Sequence, residues 1–385
     1  MTAIRLFRRK CLCILSFLVI ATLPTAGQSA ASGIISGTVT DSSGAAIPNA
    51  AVVITNTDTG AVHNLVTNGE GTFSVPFLQS GHYEVLAGAP SFTKADHKNL
   101  TLTVGETLTV NSTLAVSVNS DVQVTTEGSL IDTQKVESSQ TVTQEFIDNL
   151  PVNGRRWDNF VLLTANVAPD SNSGLVSFRG INGLYNSNMV DGVSNQEAFF
   201  AEARGRAIIA PYVYSPDSIK EFQSSVSGYS AEFGNAAGGV VNAITKSGSN
   251  AVHGDLFYYL RYPSLNALDP FNKWNAQHGG QPAAVAAALL QPVIHQQQQF
   301  GGSLSGPIIK NKLFYFLTYD GFRRAGPALY SSSGLTTAAI TGFESTGCPT
   351  GVTITQCTNA VNYLVSQQGS YTRNIVQNIF FPKLD

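Results

Sequence analysis

The sequence predicts a mainly β protein in three parts: a small antiparallel β-sandwich, a mixed α/β unit and a set of long antiparallel strands. Only 12% of the 385 residues are charged, whereas glycine (35), phenylalanine (21) and tyrosine (13) are frequent. This balance favours turn-rich β structure over helical bundles. Short alternating runs separated by turn sequences fill the first third of the chain, and longer alternating runs fill the last third.

The first 31 residues are expected to be an export signal peptide. The basic residues Arg5, Arg8, Arg9 and Lys10 precede an apolar run from Cys11 to Leu23, and small residues follow it. This run is shorter than the roughly 20 residues that a spanning helix needs, so a membrane anchor is the less favoured alternative. Without the four basic residues the formal net charge changes from -3 to -7, which argues against nucleic acid as a partner.

Residues 33–116 predict about seven short strands packed as an antiparallel sandwich. Ile35 and Val39 alternate with polar residues before the turn at 41–44, and a second turn at 68–71 leads into Phe73.

These runs resemble the carboxypeptidase regulatory-like domain, a transthyretin-like β-sandwich with a carbohydrate-binding-like fold. The residues that carry the resemblance are Ile35 to Asp41, Gly44, Ile47 to Ala50 and Gly69 to Phe73. It implies a binding or spacer module with no catalytic residues of its own.

Residues 128–250 predict a mixed α/β unit. A helical pattern around Phe146 and Ile147 is interrupted at Pro151 and Gly154, and glycine-rich β-like runs follow.

Six ordered motifs in this unit, including Ile219 to Phe222 and Tyr229 to Gly234, resemble the plug domain of TonB-dependent receptors. The other four contain Pro151, Gly154 and Arg155; then Arg179 and Gly180; then Asp191 and Gly192; and finally Gly238 and Gly239 at the start of a run that ends at Asn250. The resemblance implies a domain that closes a barrel lumen. We expect the last two glycines to permit close backbone approach and the arginines, with Arg156, to pair with acids of the barrel wall. Ordinary turn glycines and solvated arginines are the alternative.

Residues 251–385 are expected to be the first strands of an incomplete antiparallel transmembrane β-barrel. Alternating runs cover 255–262, 299–305 and 312–323; in the last one, Leu313, Tyr315, Leu317 and Tyr319 share one face. The length of this last run suits a tilted membrane strand of about 9–11 residues. Periodicity alone leaves a soluble sandwich strand open as the alternative. The motifs at 301–309 and 312–316 resemble the first barrel hairpins of Oar-like receptors, which implies contact with outer-membrane lipid and an outer-membrane location.

The barrel is expected to be incomplete within this sequence. The 135 residues after position 250 are too few for the roughly 22 strands of a plugged transporter barrel. An open barrel sheet leaves unpaired backbone groups in lipid, so we expect a C-terminally truncated fragment that forms no pore by itself. The run Phe381 to Asp385 resembles the start of a further barrel strand.

Residues 117–127 are expected to link the sandwich to the α/β unit. They lie where the resembled family keeps its TonB box, the extended segment captured by a TonB-type energy-coupling protein. The candidate box is Asp121, Val122, Gln123, Val124 and Thr125. Capture by strand addition needs little more than a free backbone with alternating side chains, so an ordinary edge strand is the alternative. The resemblance implies ligand-gated uptake of a carbohydrate or other nutrient.

Cys348 and Cys357 are the cysteines that remain after signal removal, and they bracket a polar stretch. In an oxidising compartment they are predicted to form a loop-closing disulfide, with two free thiols as the alternative. The histidines and cysteines show no paired ligand spacing outside the signal peptide. The sequence therefore predicts no metal, cofactor or catalytic site.

Two rival functions remain to be separated. Ser91 to Lys94 and Lys246 to Gly248 echo motifs of serine penicillin-recognising hydrolases. That chemistry needs Ser and Lys one helical turn apart on a helix, whereas Ser91 follows Pro90 in a strand-rich region, so we expect no enzyme. A secreted carbohydrate-binding or adhesion protein is the second rival, and it would be recovered from supernatant or periplasm rather than from outer membrane.

Overall fold

The computed structural model describes residues 31–116, 122–123, 137–150, 157–170, 175–197, 214–231, 233–280, 283–291, 294–330 and 351–385. Over these ranges the chain is mainly β, as predicted, with successive units formed by a sandwich, a mixed sheet and a sheet of long strands. The predicted signal peptide lies outside the described residues except for Ala31.

The first unit, which we call the sandwich, is formed by residues 32–116. Its strands are β1 (Ser32–Asp41), β2 (Ala51–Asn56), β3 (Val62–Val66), β4 (Thr72–Gln79), β5 (Gly81–Gly88), β6 (Ala95–Leu102), β7 (Thr107–Thr109) and β8 (Ser112–Leu114). One sheet has the order β4-β1-β7 with β8 also on β1, and the other has the order β3-β2-β5-β6.

The prediction of a wholly antiparallel sandwich was wrong in one respect. β7 and β8 both pair with β1 in parallel. After β6 the chain crosses from one sheet to the other, and it then runs alongside β1 in the same direction. Hydrophobic alternation reports which face of a strand is buried but carries no information on the direction of its neighbour.

The sandwich has a hydrophobic core of its own. Every second residue of β1 is buried, including Ile35 and Val39, and these face Tyr83, Val85 and Leu102 of the other sheet. Each fully buried aliphatic side chain contributes about 1.5–3 kcal/mol of transfer free energy. The unit therefore has the core of an independent domain.

The segment after the sandwich adds a short strand, β9 (Val122–Gln123), to the same domain. It pairs in parallel with the β6 edge, with Val122 opposite Ala95 and Gln123 opposite Asp96. β9 is thus the last strand of the sheet β3-β2-β5-β6-β9.

The central unit, residues 138–245, is mixed α/β as predicted. Its elements are β10 (Ser138–Val142), α1 (Gln144–Asn149), a 3-10 helix (Trp157–Leu163), β11 (Val167–Pro169), β12 (Val176–Phe178), a 3-10 turn (Gly183–Tyr185), β13 (Ser187–Val190), β14 (Val193–Ser194), a 3-10 turn (Pro216–Ser218), β15 (Ile219–Ser227) and β16 (Val240–Thr245). The main sheet has the order β10-β15-β16-β13-β14, with β13 and β16 parallel.

The core of the central unit lies around Phe222, Phe178 and Ile219, all fully buried. Phe160, from the 3-10 helix, packs its ring 6.4 Å from that of Phe222. All six residues of β16 are buried, so both faces of this strand are covered. That explains why four of its six residues are apolar and do not alternate with polar ones.

The third unit, which we call the long-strand sheet, comprises β17 to β20. Its elements are β17 (His253–Arg261), a 3-10 turn (Pro263–Leu265), α2 (Pro270–His278), α3 (Ala283–Leu289), β18 (Gln296–Ile309), β19 (Leu313–Tyr330), α4 (Ile354–Ser366) and β20 (Gly369–Leu384). The strands are antiparallel in sequential order. Phe381 to Leu384 end β20 instead of beginning a further strand, because their ladder with β19 continues as far as Leu384 opposite Tyr315.

The two faces of the long-strand sheet differ as the alternation predicted. Leu256 is 93% exposed, and Leu304 and Phe380 lie on the same outer face. On the opposite face, Phe316 and Asp320 of β19 are almost completely buried. The buried face contacts the central unit, so the sequence period of two separates an outer apolar face from an inner packed face.

Among the described residues, no helix combines the length and the apolar character that a membrane crossing requires.

Helix α4 begins at a complete capping box. The Thr353 hydroxyl accepts from the Gln356 amide, and the Gln356 side chain accepts from the Thr353 amide at 3.0 Å. Cys357 in the first turn is disulfide-bonded. Cys348 lies outside the described residues, so its pairing with Cys357 stays a prediction.

Candidate functional site

Asp191 and Gly192 form a tight hairpin turn between β13 and β14. Their φ angles are 50° and 77°, the doubly positive combination of a two-residue type I′ turn, for which Asp-Gly is a preferred sequence. The Asp191 carboxylate accepts from the Thr245 amide at 2.8 Å and from the Thr245 hydroxyl at 2.6 Å. This motif therefore fastens the hairpin to the end of β16.

Arg179, Gly180, Gly238 and Gly239 meet around Phe178. Arg179 and Gly180 form a turn with φ angles of 54° and 78°, and the Arg179 guanidinium donates to the Gly238 carbonyl at 3.0 Å. A Cβ at Gly239 would overlap the ring of Phe178, which is fully buried. The groups that approach the two glycines most closely are the side chains of Asn186 and Phe178, whereas we expected a close approach of backbones. The described contact of Arg179 is within the central unit, whereas we expected a barrel-wall acid.

Several predicted site residues lie outside the described residues. These are Pro151, Gly154 and Arg155 of the first motif and Asp121, Val124 and Thr125 of the candidate box. Of the candidate box, the structure describes the backbone of Val122 and Gln123, which form β9. Their roles stay predictions.

The central unit is fastened to the inner face of the long-strand sheet by a buried polar cluster. The Ser215 hydroxyl donates to Asp320 Oδ2 at 2.7 Å, and Gln299 Nε2 donates to the same oxygen at 2.9 Å. Ser215 is fully buried, and Asp320 and Gln299 are at most 2% exposed. Such charge-assisted bonds are stronger than neutral ones and costly to leave unmade. The cluster therefore fixes the loop before β15 against β18 and β19.

A second contact ties the end of β20 to the end of β16. The Lys383 ammonium donates to the Thr245 and Ser247 hydroxyls, both at 3.0 Å, and lies 4.0 Å from the Asp191 carboxylate. The residues of the hairpin motif and of the long-strand sheet thus share one network.

The sandwich docks on β15 through two adjacent charged residues. Lys220 Nζ donates to the Ser80 carbonyl at 2.6 Å, and Glu221 Oε1 accepts from the Val104 amide at 3.1 Å. Glu221 is only 4% exposed. Nearby, a side chain at Gly105 would overlap Gln223. β15, an interior strand of the central sheet, therefore also supplies the contact surface for the sandwich.

Burial shifts the pKa values of Lys220 and Glu221 in the directions that favour the neutral form of each side chain. Desolvation raises the pKa of Glu221 above its usual range, against the opposing effects of the Ser80 hydroxyl, the Lys220 charge and the Val104 amide. Desolvation also lowers the pKa of Lys220, with the Glu221 charge as the main opposing influence. The contact is therefore held by hydrogen bonds in a poorly hydrated environment.

The three units meet around a cavity of about 1170 Å³. Asp58 and Ser80 of the sandwich, Lys220 of the central unit and His253 and Lys383 of the long-strand sheet line its wall. Both signs of charge are present in this wall. Among the described residues, no group of three or more His, Cys, Asp or Glu is arranged to hold a metal ion.

The geometry of Ser91 disfavours the hydrolase alternative. Ser91 has a φ of 70° and lies between β5 and β6 rather than on a helix. The Ser-Lys arrangement of that enzyme class needs both residues on successive positions of one helical face.

Comparison with protein families gives two matches. Residues 34–115 match the carboxypeptidase regulatory-like domain, which confirms the resemblance of the sandwich. Residues 244–380 match an outer membrane beta barrel domain, which begins at the end of β16 and includes the long-strand sheet.

A curated relative matches about three quarters of the chain. The TonB-dependent transporter Oar of Myxococcus xanthus is 29% identical over 299 residues, which cover 74% of this chain and 26% of Oar. The chain is related to the Oar-type TonB-dependent receptors. The chain is an outer-membrane protein. It spans about a quarter of the length of the curated transporter that it matches.

Two solved structures are similar to parts of the chain. The outer membrane transporter YddB from Escherichia coli has a TM-score of 0.42 and 16% identity, over 64% of this chain and 30% of YddB. The siderophore receptor PirA from Acinetobacter baumannii has a TM-score of 0.32 and 18% identity, over 51% of this chain and 29% of PirA.

Sequence reasoning missed the residues that join the three units. Ser215, Asp320 and Gln299 belong to different segments, and no local pattern indicates that they converge. Lys220 and Glu221 gave one usable indication, because two charges stand within the otherwise apolar start of β15. Charges in a buried strand need partners, and here the partners come from the sandwich.

Proposed function

We propose that this chain is a component of a TonB-dependent outer-membrane receptor that takes up a ligand through a barrel closed by the central unit. The central unit acts as the plug and the long-strand sheet forms part of the barrel wall around it. The observation that carries the proposal is the buried contact of Ser215 with Asp320 and Gln299. It attaches the central unit to the face of the sheet opposite the exposed apolar side chains.

The outer face of the long-strand sheet suits contact with lipid. Leu256, Leu304, Val376 and Phe380 are all at least 46% exposed there. A water-soluble protein rarely exposes such a contiguous apolar surface, whereas a barrel strand needs it. Lipid of the outer membrane is therefore one partner in the proposal.

A TonB-type energy-coupling protein is the second partner. It would capture residues 121–125 by adding a strand to this extended segment, and the pull would rearrange the plug. The chain has no catalytic role in this mechanism, because transport changes the position of the ligand and no covalent bond. The ligand enters the proposal as a carbohydrate or other nutrient, by analogy with the sandwich fold alone.

Two experiments test the proposal. Fractionation of cells should recover the chain in the detergent-soluble outer membrane; recovery in supernatant or periplasm would favour the secreted adhesion protein.

Val122→Pro and Val124→Pro should each abolish binding to the purified periplasmic domain of the coupling protein, since proline removes the backbone donor that strand addition uses. Ser120→Ala serves as the control in the linker. A proline control at Thr113 is not used, because it would disrupt β8 of the sandwich. Unchanged binding by both proline variants would remove residues 121–125 from the mechanism.

A further inference from the structure

The linker that contains the candidate capture segment returns to the edge of the sandwich. At the end of the sandwich, Val116 forms an isolated bridge with Phe92, and the Thr93 amide donates to the Ala115 carbonyl at 2.8 Å. Further along the same edge, Val122 pairs with Ala95. The chain thus contacts the edge leading into β6 at two separate points.

The second of these contacts occupies backbone groups that strand addition would need. β6 is the edge strand of its sheet until β9 joins it, and an open edge presents a row of unpaired N–H and C=O groups. Val122 and Gln123 satisfy part of this row in parallel register. A coupling protein that captures the same two residues by strand addition uses backbone groups of the same segment.

We propose that the β6 edge of the sandwich is an internal docking surface for Val122–Gln123, and that docking there competes with capture by the coupling protein. The inference rests on the proposed function, because it assigns a competitor to the candidate TonB box. The sandwich then acts as a cover that keeps the segment paired until a partner with a longer ladder displaces it.

The size of the docked ladder sets the strength of the competition. Only two residue pairs are formed, at Ala95 and Asp96, and parallel ladders are slightly less stable per residue than antiparallel ones. One or two net backbone hydrogen bonds correspond to about a five- to thirty-fold preference for the docked state. The affinity of the chain for a coupling protein is reduced by the same factor.

A disulfide across the docked pair tests the competition directly. Asp96 and Gln123 are register partners, and adjacent strands lie about 4.8 Å apart, within the range of Cα separations that a disulfide spans. The test variant is Asp96→Cys with Gln123→Cys in the full chain, extracted from the outer membrane in detergent. The matched control is Lys98→Cys with Gln123→Cys. Lys98 lies two residues along the same face, which places the two Cα atoms about 8 Å apart, and both variants lose the Lys98–Asp96 ion pair.

The measurement is binding of the purified periplasmic domain of the coupling protein before and after oxidation. We expect the test variant to cross-link readily and to lose at least tenfold in affinity when oxidised, with full recovery on reduction. The control variant should cross-link poorly and bind equally in both states. The single variant Gln123→Cys is a second control. It shows whether reductant changes the binding through the native disulfide at Cys357.

Three outcomes would count against the inference, and they are distinguishable. If the test variant fails to cross-link, the segment does not dock on β6. If it cross-links and still binds, docking and capture are compatible and there is no competition. A synthetic peptide of residues 118–127 separates these results from failure of the proposed function. If this undocked peptide does not bind the coupling protein, the candidate box itself is wrong.

Discussion

Removal of the Glu221 carboxylate should loosen the sandwich from the central unit. Glu221→Ala leaves the Val104 amide and the Ser80 hydroxyl without their acceptor. An unsatisfied buried donor costs about 1–3 kcal/mol, and two donors lose their acceptor here. Because burial already favours the neutral carboxyl, we expect a loss of about 2–4 kcal/mol in the free energy of docking.

Hydrogen exchange at the Val104 amide measures this loss in the detergent-extracted protein. The expected change of about 2–4 kcal/mol corresponds to roughly a 30- to 700-fold decrease in protection. Glu221→Gln keeps an acceptor oxygen and the side-chain volume, so its decrease should be less than about tenfold. Glu84→Ala is the exposed control, since Glu84 only pairs with Lys98 at 3.6 Å on the sandwich surface and surface pairs contribute little.

The same contact should depend on pH in a defined direction. The pKa of Glu221 is raised in the folded protein, so its stabilising contribution is complete below the usual glutamate range and is lost as pH rises through the raised folded value. Glu221→Gln should remove this dependence. The reasoning is refuted if Glu221→Ala leaves Val104 protection unchanged, or if Glu84→Ala lowers it as much.

Three further predictions concern each unit in turn. Asp320→Ala should increase protease cleavage before β15, since two buried hydrogen bonds are lost at a cost of about 2–4 kcal/mol; Asp255→Ala, at an exposed position of β17, should not. Gly239→Val should lower the melting temperature of the protein far more than Gly234→Val, because a Cβ at Gly239 overlaps Phe178 whereas Gly234 has open space. In the sandwich, burial lowers the pKa of His97 in the folded protein. Calorimetry of residues 32–116 should therefore show a His97 contribution to stability that is complete above about pH 6.5 and decreases as pH falls through the lowered folded pKa. His97→Gln should flatten that decrease, and an unchanged slope would contradict the assignment to His97.

Much of the fold follows from local pattern. Alternation gave the sandwich strands, and it also gave the correct faces of β19, with Leu313 and Tyr315 opposite Phe314 and Phe316. Asp191 and Gly192 were identified from the sequence only as part of the plug motif, and the structure shows that they form a turn with two positive φ angles. Gly238 and Gly239 were indicated as positions of close packing, although the groups that approach them are the side chains of Asn186 and Phe178 and not backbone.

Other features were not readable in this way. The parallel pairing of β7 and β8 with β1 was missed because the burial pattern of a strand is the same for either direction of its neighbour. The end of β20 was mistaken for a new strand because Phe381 to Leu384 continue an alternation whose start, at residue 369, lies in a polar stretch. Arg179 donates to the Gly238 carbonyl, and its pairing with an acid of the barrel wall stays a prediction.

The sequence by itself determined the domain order, the alternating faces of the strands and the family to which the chain is related, because each of these is encoded in short contiguous motifs. Only the tertiary structure decided how the units are joined. Glu221 is 117 residues from Val104 and Ser215 is 105 residues from Asp320. Contacts across such separations depend on how whole sheets pack, which no local spacing of residue types can specify.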